Sequence, residues 1–279
     1  MGYRGIGGIA LKKTGSNMQQ RHKDRSLYFK ELADTSRKFY IDYVERWKPV
    51  GANTRVLEIG CGEGGNLLPF AERGCQVTGI DINERQIENA SLFFGENGRE
   101  GKFIASDFLM VPEPKSEEDR FDVVLIHDVI EHIEIPYKIQ FVQHLKQFMR
   151  HDAIVFFAFP AWQMPYGGHQ QICVHAVSKM PFIHLLPTKV YRFLLSKTGE
   201  RESAINELLS IKRSRMPIER FEKLVRATEM KVVNRTLWVI NPHYQRKFGL
   251  HPLREFWPFS AIVYLRNFYT TSAWFVLKK

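Results

Sequence analysis

An apolar run, a glycine-dense turn and a second apolar run ending on a carboxylate constrain this chain more than any other feature. The residues are Arg55-Val56-Leu57-Glu58-Ile59-Gly60-Cys61-Gly62-Glu63-Gly64-Gly65, followed by Val77-Thr78-Gly79-Ile80-Asp81. The apolar runs read as buried strands, and glycine lets the intervening backbone pass close to a ligand. A carboxylate at the tip of the second strand can accept hydrogen bonds from both ribose hydroxyls. The pattern is that of an α/β protein holding an adenosine-containing cofactor.

Two cofactor classes fit the turn. Gly60, Gly62 and Gly65, with Asp81 downstream, match the dinucleotide fingerprint. Gly60, Gly62 and Gly64, with Glu58 before them, match a tighter E-x-G-x-G-x-G turn equally well. The glycines do not choose between NAD and S-adenosylmethionine. Charge leans to the second. A pyrophosphate at a helix N-terminus gains nothing from Glu58 and Glu63 beside it. S-adenosylmethionine has no phosphate and carries a sulfonium and an ammonium.

Val56 to Gly64 resembles motif I of the class I S-adenosylmethionine-dependent methyltransferases, and three further segments follow that family's order. Asp81 falls at its ribose-binding acid. Ala105-Ser106-Asp107-Phe108 resembles the segment that meets the adenine. Phe121 to His132 is similar to the fourth strand and the turn beside the methionine end. The match spans roughly residues 40–160, and within the family the chain looks closest to small-molecule enzymes of the quinone-pathway kind. The flanking segments Arg21-His22-Lys23-Asp24-Arg25 with Tyr28-Phe29, and Gly167-Gly168-His169-Gln170-Gln171, resemble bacterial methyltransferases of unassigned substrate. The resemblance implies a Rossmann-like α/β fold, with a seven-stranded, mostly parallel sheet and helices on both faces. It implies cofactor contacts from Glu58, Gly60, Cys61, Gly62, Gly64, Asp81, Ile82, Asp107, Phe108 and His127, with S-adenosylhomocysteine as the product.

The residue types carry their own arguments, each beside a plainer reading. Glu58 inside an apolar strand needs a partner to offset its desolvation. Asp81 could instead be a solvated turn acid, Asp107 a helix cap and His127 a packed core histidine. Transfer of a methyl group to a hydroxyl needs a positioned acceptor and a base. His169, directly after the loop-forming Gly167-Gly168 and of a residue type that titrates near neutrality, is the first candidate, with Glu131 and His132 in reserve. His175 and His184 rank lower. His169, Cys173 and His175 do not complete a tetrahedral set, so no metal is expected.

The chain of 279 residues suits one large α/β domain with substrate-cap insertions. Residues 1–17 read as a loose extension, 18–49 as a helical segment closing over the cofactor, and 50–279 as the methyltransferase domain. Cap insertions are expected at about 160–200 and 241–270. A single helix is expected over Ser203 to Thr228, and Ser272 to Val276 reads as the final strand, which the resemblance implies is antiparallel.

Three cysteines without metal spacing, and no signal or membrane-spanning segment, point to a reduced, cytoplasmic protein. The net charge of +10 falls on the two flanks, around a mildly acidic middle. Such flanks attract a phosphorylated substrate, an anionic membrane or nucleic acid, or simply water. Nucleic acid is disfavoured, because the fourth strand leads into His127-Asp128-Val129-Ile130 rather than the D/N-P-P-Y/F segment of base amino-methylation. No cysteine lies in the Pro-Cys context of base C5 methylation either. Tyr264 to Tyr269 and Lys247-Phe248 mix aromatics with cations, as a peripheral contact with the inner membrane face requires. The expected chemistry is methyl transfer to an oxygen, ahead of a nitrogen, of a small-molecule, lipid-linked or sugar acceptor. An NAD-dependent oxidoreductase and a non-catalytic S-adenosylmethionine-binding protein are the alternatives.

Overall fold

Alternating side chains along each central strand divide the interior into two cores. In the computed structural model, which describes residues 24–279, Leu57, Val124, Val155 and Phe157 point to one face of the sheet and Val56, Val123, Ile154 and Phe156 to the other. This period of two, with both faces apolar, is what a sheet covered by helices on each side demands.

The sheet-forming elements are β1 (Arg55–Ile59), β2 (Gln76–Asp81), β3 (Lys102–Ala105), β4 (Phe121–His127), β5 (Met149–Phe159), β6 (Lys231–Ile240), β7 (Leu253–Arg254) and β8 (Ser272–Lys278). Their order is β3-β2-β1-β4-β5-β8-β6-β7. β1 to β5 are parallel, and β8 enters antiparallel between β5 and β6. The sheet thus has eight strands rather than the expected seven. The extra one is the two-residue β7, which pairs with the outer edge of β6 inside a segment expected to be only loop.

The helices are α1 (Arg25–Thr35), α2 (Ile41–Glu45), α3 (Leu68–Glu72), α4 (Glu84–Glu96), α5 (Lys138–Phe148), α6 (Thr188–Lys197), α7 (Glu202–Ser214), α8 (Ile218–Ala227) and α9 (His243–Phe248). α1 and α2 are one rod interrupted by a π-helical turn over Ser36–Tyr40. The extra residue in that turn shifts the buried face, which explains why the apolar positions of this segment fit a single helical stripe poorly. The expected helix over Ser203 to Thr228 is two helices, because Pro217 has no amide proton and biases Met216 away from helical angles. α4 starts on Asn83, whose side chain accepts from the Gln86 amide.

The segment after β5 folds into short 3-10 turns and α6. It shares with α7 a separate small core of Cys173, Ile183, Tyr191, Leu195, Ile205 and Leu208. The three cysteines are free and buried. No helix among the described residues is long and apolar enough to cross a membrane. The expected extension over residues 1–17 and residues 18–23, which open the expected helical segment and include the start of the Arg21–Arg25 segment, lie outside the described residues.

Candidate functional site

The glycine turn is built by three residues with positive φ: Gly60 (72°), Gly62 (52°) and Gly64 (79°). At Gly60 a Cβ would come 2.3 Å from Val129 Cγ2, so the turn is closed by the loop after β4 as well as by its own conformation. Asp81, at the end of β2, locks it: Gly62 N–H donates to one carboxylate oxygen at 2.8 Å and Asn83 N–H to the other at 2.9 Å. Each oxygen keeps a lone pair for a further donor.

Gly65 has a different reason to be glycine. A Cβ there would meet the Phe29 carbonyl at 2.6 Å and Leu32 Cβ at 2.8 Å, so this glycine admits α1 against the turn. Regular helix begins only at Leu68 and lasts five residues. The third glycine of a dinucleotide fingerprint, opening a helix onto a pyrophosphate, is therefore missing in substance.

Behind the turn lie two buried carboxyls. Glu58 is 1% exposed and accepts from Asn66 Nδ2 at 2.7 Å, while its Oε2 has no protein partner. Burial pushes its pKa up to about 8 despite the Asn66 bond. Glu63, equally buried, accepts from Arg25 Nε and Nη2 at 2.5 Å each, which fastens α1 to the turn. Glu63 is thus neutralised within the protein, and Glu58 is the buried carboxyl with an open oxygen.

A cavity of about 520 Å³ opens at the carboxyl ends of β1, β2 and β4. Gly60, Asp81, Ile82, Asp107 and Phe108 line one part, and Asp128, Val129, His132 and Tyr137 another. Its size and position are those of a ligand site at the switch point of an open α/β sheet. Asp107 also caps the 3-10 turn after β3, accepting from Leu109 N–H at 3.0 Å, so the plainer reading of this residue coexists with its place in the wall. The Phe108 ring packs on Phe141 and Phe148, and the residue lines the cavity. The Cys61 side chain turns away into the core over Gly79, and burial pushes its thiol pKa up, so only its backbone belongs to the turn. His127, at the end of β4, packs against the Tyr40 ring at 5.4 Å.

The three candidate catalytic residues come together. The His132 and His169 rings meet edge to face at 4.9 Å, and His132 Nε2 lies 4.0 Å from Glu131 Oε1. His132 reaches them from the turn after β4, and His169 from the segment after β5, where it holds a left-handed conformation (φ 57°). Desolvation lowers both imidazole pKa values, so both rings are neutral at pH 7. Glu131 is buried with neither carboxyl oxygen hydrogen-bonded, and burial with Asp128 nearby raises its pKa well above the ordinary range. Lys138, also buried, donates to the Ile130 carbonyl. Ligand atoms of Glu131, His132 and His169 all lie within 4.8 Å of one another, a grouping different from the His169, Cys173 and His175 set weighed from sequence. His184 is structural: its ring lies 2.8 Å from the Trp162 carbonyl and bonds Gln170 in the core of the cap.

Sequence reasoning passed over four residues of this site. Asp128 lines the cavity with a positive φ of 53°. Asn66 holds Glu58, Arg25 holds Glu63, and Tyr40 covers His127. An Asp after a strand carries some signal, and Asn66 lies only eight residues from Glu58 in the same strand–turn unit, but Arg25 and Tyr40 act through contacts between segments far apart in sequence.

A strand order with an antiparallel β8 beside β5, a glycine turn locked by Asp81 and a cavity at the carboxyl edge define a Rossmann-like methyltransferase of class I. Residues 23–183 match the family described as Methyltransferase domain, and the chain belongs to that family. Among curated relatives, a ubiquinone biosynthesis O-methyltransferase of Leptothrix cholodnii is 36% identical over 105 residues, covering 37% of this chain and 42% of the relative. The chain thus spans less than half the length of that relative. Two solved structures share the fold at low identity. An S-adenosylmethionine-dependent methyltransferase from Clostridium acetobutylicum has a TM-score of 0.53 at 10% identity, over 94% of this chain and 98% of that one. Magnesium protoporphyrin IX methyltransferase from Synechocystis, solved with bound S-adenosylhomocysteine, has a TM-score of 0.51 at 12% identity, over 99% and 90%.

Proposed function

We propose that the protein transfers a methyl group from S-adenosylmethionine to an oxygen of a small molecule related in chemistry to a quinone precursor. The observation that carries this reading is the doubly anchored Asp81 carboxylate, on the wall of a cavity that runs from Asp107 and Phe108 to Asp128 and His132. The residues fit the cofactor. In this reading Asp81 would accept from the ribose hydroxyls, Phe108 would flank the adenine, and the open oxygen of Glu58, behind the glycine turn, would face the cationic methionine end. When bound, the cofactor supplies an electrophilic methyl on a sulfonium.

With that methyl supplied, the acceptor oxygen would take the carbon while the bond pair to it would leave with sulfur, so the protein's part is to hold the acceptor in line and take its proton. The acceptor's proton passes to the neutral imidazole pair His132 and His169. Glu131 behind His132 is a carboxyl whose ionisation would stabilise the imidazolium formed. The ubiquinone-pathway relatives support an O-methyl acceptor of this kind. A peripheral contact with anionic membrane belongs to the same reading, because such acceptors partition into lipid.

Calorimetric titration with S-adenosylhomocysteine tests the cofactor. Binding in about the micromolar range is expected, weakened at least about tenfold by Asp81→Ala, with no binding of NAD. NAD binding in place of S-adenosylhomocysteine would sink the proposal.

A second reading of the acceptor end rests on the tight grouping of Glu131, His132 and His169. A divalent cation there would polarise the acceptor oxygen in place of a base. Activity unchanged by EDTA keeps the imidazole base; activity lost to EDTA and restored by a divalent metal replaces it.

A further inference from the structure

The loop after β7 is built inside out. Arg266 is buried and donates to Glu219 at 3.0 Å and to both carboxylate oxygens of Glu222 at 3.1 Å. Asn267, also buried, donates to Glu219 at 2.7 Å and accepts from the Ile218 amide at 2.8 Å. The polar groups thus bolt the loop to α8. Its apolar side chains face outward: Trp257 is 80% exposed, Tyr264 62%, Phe256 61% and Val263 53%. From Phe256 to Leu265 there is no charged residue. A cluster of large exposed apolar groups on a loop anchored by buried ion pairs is costly in water and marks an interaction surface.

Two observations bear on what such a surface would complement. Phe182 of the cap meets Phe268 at 6.4 Å, which joins this loop to the segment carrying His169. Phe182 N–H also donates to the Pro165 carbonyl at 2.8 Å, closing the loop on which His169 lies. Second, the two joined segments are almost without acid. Residues 160–199 contain none, and residues 241–279 contain only Glu255, which is partly buried and bonded to Thr270. The same stretches carry Lys179, Lys189, Arg192, Lys197, Lys247 and Arg254. Aromatic and aliphatic groups among cations, with carboxylates excluded, complement an anionic lipid surface better than a second copy of the same basic face.

We propose that Phe256–Phe268, with Phe182 beside it, is an interfacial anchor that seats the protein on an anionic phospholipid bilayer. It places the acceptor side of the cavity next to the membrane, so that the acceptor is an amphiphile taken from the lipid rather than from water. The acceptor route rests on the methyltransferase reading; the anchor does not.

The test is co-sedimentation of the full chain with phosphatidylcholine–phosphatidylglycerol vesicles and with pure phosphatidylcholine vesicles at low salt. The wild type is expected to sediment with the anionic vesicles alone. Trp257→Ala combined with Tyr264→Ala is expected to weaken this at least about tenfold. Titration of the double variant with S-adenosylhomocysteine is expected to be unchanged, which shows that it folds and separates failure of the anchor from failure of the cofactor reading. Wild type that stays in the supernatant, or a double variant that sediments like wild type, overturns the anchor. A wild-type dimer that ignores vesicles and becomes monomeric in the double variant assigns the patch to a second copy and overturns it equally.

Discussion

Glu58 shows how one buried residue links stability to ligand binding. Its pKa is raised from the ordinary carboxyl range to about 8, chiefly by burial. Between those two values the unfolded chain has released the proton and the folded chain still holds it. Each rise in pH over that window therefore disfavours folding, and above about 8 the full cost is present. Glu58→Gln keeps an acceptor for Asn66 and removes the titration. In denaturant melts of the ligand-free protein, the variant is expected to gain on the wild type by up to about 1.4 kcal/mol per pH unit from pH 5 to 8. Parallel pH curves for the two proteins would refute it. Affinity for S-adenosylmethionine should move the other way. It should rise with pH in the wild type as Glu58 ionises towards the cationic ligand, and stay flat in the variant.

At the scale of elements, α1 is the part whose role was least legible. The sequence marks it as helical, but its hold on the glycine turn runs through Arg25 and Glu63, 38 residues apart, and through Gly65 under Phe29. No local pattern encodes that pairing. Breaking it leaves a carboxylate buried without its cation. Since the Arg25 side chain is itself 31% exposed, Arg25→Ala is expected to cost about 3 kcal/mol in equilibrium unfolding, the low end for such pairs. Arg25→Ala with Glu63→Gln should recover part of that loss; no recovery would show that the pair is not the reason. The strands were far easier to read. β1, β2 and β4 are apolar runs with both faces covered, and such runs fix their own boundaries. β7 escaped notice because two residues have no periodicity; it exists only because the edge of β6 is there to pair with.

For the molecule as a whole, the segment between β5 and α7 is where distant parts of the chain converge. Residues after β5 and α7 share one small core, and the loop after β7 leans on α8 and on Phe182. This convergence brings His169 to His132, which lines the cavity, across 37 positions of sequence. The acid-poor stretches 160–199 and 241–279 meet through Phe182 and Phe268, while the mildly acidic sheet region holds the turn. The net charge of +10 gains meaning only from that distribution.

By itself, the sequence determined the parallel sheet, the glycine turn, Asp81 at the tip of β2 and hence the class of protein. These depend on backbone conformation and on neighbours within one strand-turn-strand unit, where residue type and spacing carry the information. Tertiary structure decided which carboxyl is free and which is ion-paired, why Gly65 is glycine, and that His169, His132 and Glu131 form one cluster. It also decided that the aromatic loop near the C-terminus faces outward rather than packing inside. Each of these depends on which remote groups share a burial site, and burial sets both the pKa of a group and the cost of leaving it unpartnered.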